Sequence, residues 1–152
     1  MRDPLLSVKI RDAVIQLIQG LNLPGVAAKN VVAKLVEEKT TGARPGVLVT
    51  SQGMQEQILP GTTENQDSVW PFRLVVVDTQ GGLLDANDPK YRQWRKMLGD
   101  AFSPPAGKVA LKAIVPAVYR TEISLDAAAF ELNAYLTVAN SLVLKVWARE
   151  PQ

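Results

Sequence analysis

Residues 68–79 read SVWPFRLVVVDT, and the fold turns on this stretch. Side chains alternate across a strand, so Trp70, Phe72, Leu74 and Val76 share one face and Arg73, Val75 and Val77 the other. Towards the end both faces become apolar. That is the pattern of a strand covered on both sides, and it predicts a central position in the sheet. Pro71 has no backbone donor to give a neighbour, so the start of the strand is expected at an edge or a bulge.

On the N-terminal side, SQGMQEQILPGTTENQD (51–67) is polar and interrupted by Gly53, Pro60 and Gly61. It predicts a long loop at about 52–67, and loops of that length in a compact domain usually have a task or are mobile. Before it, NVVAKLVEE (30–38) and PGVLVTSQ (45–52) are short and rich in β-branched residues, with KTTGAR between them. The pattern predicts two strands joined as a hairpin. The chain opens with a helix: Asp3 is a candidate N-cap, Pro4 the first helical position, and Leu6, Ile10, Ala13 and Leu17 recur every three or four residues. Val14 and Ile18 widen this stripe, Gly20 supplies a stop, and Arg11 and Gln19 are expected to point outward.

On the C-terminal side, the Gly-rich QGGLLDAND (80–88) leads into DPKYRQWRKMLGDAF (88–102), which mixes three large aromatics with four basic side chains. At about 100° per residue, Tyr91, Trp94, Leu98, Ala101 and Phe102 form one stripe. Arg92 and Lys96 fall on the far side, with Arg95 at the border. In a platform for single-stranded nucleic acid, rings and cations line the same groove. Here they diverge, which predicts a second scaffold helix with a solvated basic face. After SPPAG come two strand-like segments, VALKAIVPAVYRTEI (109–123) and YLTVANSLVLKVWARE (135–150), with a turn or short helical piece at 125–134. The whole chain, 1–152, reads as one α+β domain: a single-layer, mainly antiparallel sheet of about four to five strands with two helices packed on one face.

The composition excludes several chemistries. With no cysteine and no histidine, the chain cannot form disulfides, thiolate nucleophiles, Cys or His zinc sites, or a triad with an imidazole base. Net charge is +2, from 17 Lys and Arg against 15 Asp and Glu, and the basic residues form no run. A dedicated nucleic-acid binder carries a basic patch or tail. TQGGLLDAND lacks both GxGxxG and GxxxxGK[ST]. Among the carboxylates, Glu37 and Glu38 point to opposite faces of a strand, Asp85 and Asp88 suit a helix N-terminus, and Asp78 stands alone. No catalytic residue, cofactor or metal ligand is assigned, and the chain is not expected to be an enzyme. Lys9, Arg11 and Asp12 interrupt the apolar residues of the first twenty, which speaks against a signal peptide or a membrane span.

The segments LPGVAAKNVVAKL, RPGVLVTSQGMQEQILPGTTENQD, DPKYRQWRKMLGDAF and LVLKVWAREPQ resemble the tail-terminator, tail-completion and head-tail joining proteins of tailed bacteriophages. The likeness runs from about Leu23 to Gln152 and lies in element order and loose phrases. One departure is TTENQDSVWP, where the family carries a short polar turn before its third strand. The resemblance implies a small domain that assembles into a ring, commonly sixfold, which caps the tail tube and meets the head connector. Its implied partners are further copies of itself, the tail tube protein, and a connector or stopper protein, with no membrane and no sequence-specific nucleic acid. It implies a place in the virion neck or tail, after assembly in the host cytoplasm. On this view the candidate interface residues are Gln55, Glu56, Gln57, Ile58 and Leu59 in the long loop. Trp147, Arg149 and Glu150 join them on a final strand expected to offer an edge. The alternative is a small nucleic-acid-binding domain that uses the basic face of Arg92, Arg95 and Lys96.

Overall fold

The computed structural model describes residues 3–33, 46–50, 57–59, 65–77, 89–125, 130–131 and 138–151. The double-sided apolar stretch is central. It belongs to β4 (Asn65–Val77), which pairs antiparallel with β7 (Val138–Pro151), from Asn65 opposite Pro151 to Val76 opposite Asn140. On its other flank β4 pairs antiparallel with β2 (Gly46–Thr50). Outside these lie β1 (Val31–Ala33) beside β2 and β5 (Val118–Leu125) beside β7, giving the order β1-β2-β4-β7-β5. Two short strands extend the sheet: β3 (Gln57–Leu59) on β4 and β6 (Phe130–Glu131) on β7.

Opposed residues build the helix-side face. Val49, Leu74 and Leu142 form one row across the strands, and Phe72, Leu144 and Ile123 another. Onto this face pack α1 (Leu6–Gly20) with Leu6, Ile10, Ala13, Val14 and Ile18, α2 (Pro89–Phe102) with Trp94, Leu98 and Phe102, and α3 (Ala106–Ile114) with Leu111. Removing a Leu, Val or Phe side chain from water is worth about 1.5–3 kcal/mol, so this layer is the main source of cohesion. Leu48 and Val75, on the opposite face, are also buried, as the two apolar faces require. The architecture is thus α+β, an open and mostly antiparallel sheet backed by helices.

Five expectations change. Strands β1 and β2 are parallel, Val31 opposite Val47 and Ala33 opposite Val49, so they form no hairpin. Parallel neighbours need a connection of a dozen or more residues, and 34–45, which lie outside the described residues, supply that length. There are three described helices, because the first part of 109–123 is α3. Gly107, Leu111 and Val115 are buried at a spacing of four, a helical stripe, until Pro116 forces Val115 into extended backbone (φ −121°, ψ 96°). Phe130 and Glu131 are strand instead of turn or helix, opposite Ala139 and Val138. The expected loop contains β3, and β4 begins at Asn65, so this segment is partly a strand pair. Finally, Pro71 lies inside β4: among the described residues β3 pairs with β4 as far as Val69 and β2 from Arg73, so none of them stands opposite Pro71 on that flank.

Asp3 is not the N-cap of α1: it lies two residues before the N-cap position, Leu5. Its Oδ1 accepts from the Leu5 amide at 2.9 Å and its carbonyl from Leu6 at 3.2 Å, so the helix begins at Leu6. Gln19 is half-buried, its Nε2 donating to the Ala28 carbonyl at 3.0 Å at the surface.

Candidate interaction surface

Across from the helices, three strands are tied together by one constellation. Asp67 on β4 and Arg149 on β7 are direct cross-strand partners. The guanidinium donates twice, Nε to Oδ1 at 2.8 Å and Nη2 to Oδ2 at 3.0 Å, the fork-to-carboxylate geometry that fixes orientation as well as energy. Tyr119 of β5 reaches over β7 and donates its hydroxyl to Asp67 Oδ2 at 3.2 Å, and the Arg149 guanidinium lies 4.9 Å from the centre of its ring.

A bulge in β5 makes this reach available. Val118 opposes Ala148 but Arg120 opposes Trp147, so Tyr119 is the extra residue. Bulges re-aim side chains, and this one turns Tyr119 and Arg120, neighbours in the chain, towards the same face. Arg120 lies 4.6 Å above the Trp147 ring and forms a 3.6 Å ion pair with Glu122. The result is a stiff strip of stacked cations and rings.

The hydrogen bonds from Arg149 hold the Asp67 carboxyl below its ordinary value of 3.8; burial opposes this and the Tyr119 hydroxyl adds to it. Burial, followed by the bond to Asp67, pushes the Tyr119 hydroxyl above its ordinary 10.0. A carboxyl whose folded value is depressed stabilises the fold above its unfolded value, and that contribution disappears as pH falls through the folded one. Stability should therefore drop with acidification below about pH 4. Asp67→Asn should lower stability at neutral pH and flatten that acid limb, as chemical unfolding across the pH range would measure; an unchanged acid limb would contradict the assignment.

The residues expected at an interface fall in different places. Gln55 and Glu56 lie outside the described residues, as do Glu37, Glu38, Asp78, Asp85 and Asp88 and the glycine-rich loop. Gln57, Ile58 and Leu59 form β3, where Ile58, opposite Ser68, is 61% exposed. The final strand is no edge: β7 lies between β4 and β5. Trp147 is half-buried on the face away from the helices, so it packs against Arg120 and not against a helix. Glu150 points the other way and is buried, its Oε2 accepting from the Asp3 amide at 2.6 Å and fastening the start of the chain to β7. Asp67, Tyr119 and Arg120 were not visible as a group, because Asp67 and Arg149 are far apart in sequence and the bulge leaves no mark in it.

Among the described residues, grooves flank the sheet. One, of about 750 Å³, runs between α1 and the α3–β5 connection, with Leu6, Ala13, Ile114 and Pro116 as apolar lining and Lys9 and Asp12 at its side. Another, of about 530 Å³, brings Arg92, Arg95 and Lys96 of α2 alongside Ile123 and Ser124 of β5. No group of three or more acidic, His or Cys side chains able to hold a metal occurs among the described residues. No protein-family model matches the chain, and no curated protein matches it.

Proposed function

We propose that the protein is a ring-forming structural component of a phage neck or tail end, which caps the tail tube and joins it to the head connector. The observation that carries this is an exposed apolar residue and a separate groove on the same molecule. Ile58 on β3 is 61% exposed, and it is not part of the lining of the mixed apolar and charged groove between α1 and the α3–β5 connection. Unlike patches on one molecule are what a head-to-tail contact uses, and such contacts close into rings when the rotation permits. The resemblance of the sequence segments to tail-terminator and head-tail joining proteins supports this place for the ring. The clamp at Asp67 supports the same role, because it stiffens the base of the β3–β4 pair from which Ile58 projects.

Light scattering on the purified protein, alone and with its tail tube protein, tests this. Assembly to a closed multimer in either condition is expected, and Ile58→Asp should weaken it by about tenfold or more in concentration dependence, since a charge would be buried at the contact. A protein that stays monomeric and ignores the tube would overturn the proposal.

The basic face of α2 gives a nucleic-acid alternative one specific support, the groove that gathers Arg92, Arg95 and Lys96. Against it stands Trp94, fully buried with its indole N–H donated to the Pro24 carbonyl at 2.9 Å, so that ring offers no stacking surface.

A further inference from the structure

The groove between α1 and the α3–β5 connection has the make-up of a small-molecule site. Its volume of about 750 Å³ suits such sites, which are mostly apolar with a few placed polar groups. Leu6 and Ala13 are buried at its bed, and Ile114 and Pro116 stand exposed at its wall. The end of β7 adds Glu150, brought to this side of the sheet by the alternation that sends Arg149 to the other. Glu150 is only 8% exposed, and a carboxylate taken so far out of water is costly unless a charge answers it. The bond that it accepts, 2.6 Å from the Asp3 amide to Oε2, comes from a neutral donor and uses one of about four lone-pair positions. Among the described residues Oε1 has no partner, yet it is not one of the buried atoms left without one, so it opens on the groove that Glu150 lines. The cations nearby are committed to other carboxylates: Lys9 pairs with Asp3, Arg11 with Asp12 at 3.1 Å, and Arg149 with Asp67 at 2.8 Å. An apolar bed thus ends at a buried negative charge.

We infer that this groove binds a small organic cation, a primary ammonium on a flexible apolar stem, with the ammonium at Glu150 and the stem along Leu6, Ala13, Ile114 and Pro116. An ammonium is compact and carries three donors, so it can serve Oε1 and still reach the Asp12 carboxylate or water at the rim. The bond formed is charge-assisted, and the low dielectric around a buried carboxylate strengthens it. A guest of the same length with a carboxylate head would meet like charge at Glu150 and Asp12, and an alcohol would leave the buried charge unanswered. The inference rests on the groove and not on the ring. Ile58 lies outside the lining, so Ile58→Asp leaves the groove intact while weakening the proposed assembly.

The probe is hexylamine at neutral pH, titrated into isotope-labelled protein with amide shifts as readout, beside hexanol and hexanoate. Hexylamine should shift the amides of Ala13, Ile114 and Ala117, which line the groove, and should bind about tenfold or more tightly than either control. Shortening the stem to propylamine should weaken binding by about two- to fourfold per methylene lost, the share of an apolar bed. Glu150→Gln keeps a carbonyl to accept from the Asp3 amide and removes the charge, so hexylamine should then bind no better than hexanol. Ile114 is 38% exposed, and Ile114→Ser, a change that the fold tolerates, should weaken hexylamine through the wall alone. The same titration of Ile58→Asp separates a groove covered by a neighbour from one that has no such site. Absence of binding in both proteins, hexanol or hexanoate equal to hexylamine, indifference to Glu150→Gln, or shifts confined to residues away from the groove would each overturn the inference.

Discussion

Trp94→Ala should cost about 3–5 kcal/mol of unfolding free energy, the range for emptying a large buried aromatic site. The ring is fully buried in the cluster that joins α2 to the sheet, beside Leu98 and Phe102. Its indole N–H also donates to the Pro24 carbonyl at 2.9 Å, across a separation of 70 residues, so truncation removes a tether to the segment after α1 as well as packing volume. Two residues further on, Lys96→Ala should change stability by no more than about 0.5 kcal/mol, as surface substitutions usually do. Guanidinium unfolding followed by far-ultraviolet circular dichroism measures both without relying on tryptophan emission. Equal losses in the two variants would refute the division of α2 into an inner aromatic and an outer basic face.

The second large effect is expected at Gly107, where helix propensity and packing oppose each other. A Cβ built there would come within 2.6 Å of both the Phe102 carbonyl carbon and Thr121 Oγ1, closer than the 3.0 Å that real Cβ atoms essentially never breach. One neighbour is the backbone at the end of α2. The other is a fully buried hydroxyl already committed to the Phe102 carbonyl at 2.9 Å, so neither can yield cheaply. Alanine is favoured over glycine inside a helix by up to about 1 kcal/mol, whereas overpacking costs about 1–3 kcal/mol and lifts α3 away from β5. The clash should prevail and Gly107→Ala should destabilise. Gly99→Ala is the opposite case: nothing lies within 4 Å of its Cβ, so α2 should gain stability by up to about 1 kcal/mol. The same unfolding measurement decides both, and a stabilised Gly107→Ala would mean that α3 does not sit against α2 and β5 as described.

The parts of the fold legible in the sequence are those with a single periodicity. Phe72, Leu74 and Val76 announce β4, and Leu6, Ile10 and Ala13 announce α1. Trp94, Leu98 and Phe102 do the same for α2. α3 was obscured because Val109, Ile114 and Val115 are β-branched and Pro116 follows closely, although Gly107, Leu111 and Val115 carry the helical spacing. The direction of β1 was not legible for a different reason: Val31 and Ala33 present the same apolar face whichever way the strand runs, and only the crossover decides. Of the candidate interface residues, Ile58 lies exposed on β3 and not in a loop. Arg149 proved to be committed to Asp67, and Glu150 turned out to be buried, because adjacent residues of a strand face opposite ways. The Tyr119–Arg120 pair depends on a bulge that pairing alone reveals.

Native mass spectrometry of the intact protein, alone and mixed with a candidate tail tube protein, tests the proposed ring most directly. A closed multimer of defined stoichiometry, formed alone or on the tube and lost with Ile58→Asp, is the predicted spectrum. A monomer in both conditions, or an assembly indifferent to Ile58→Asp, would contradict it.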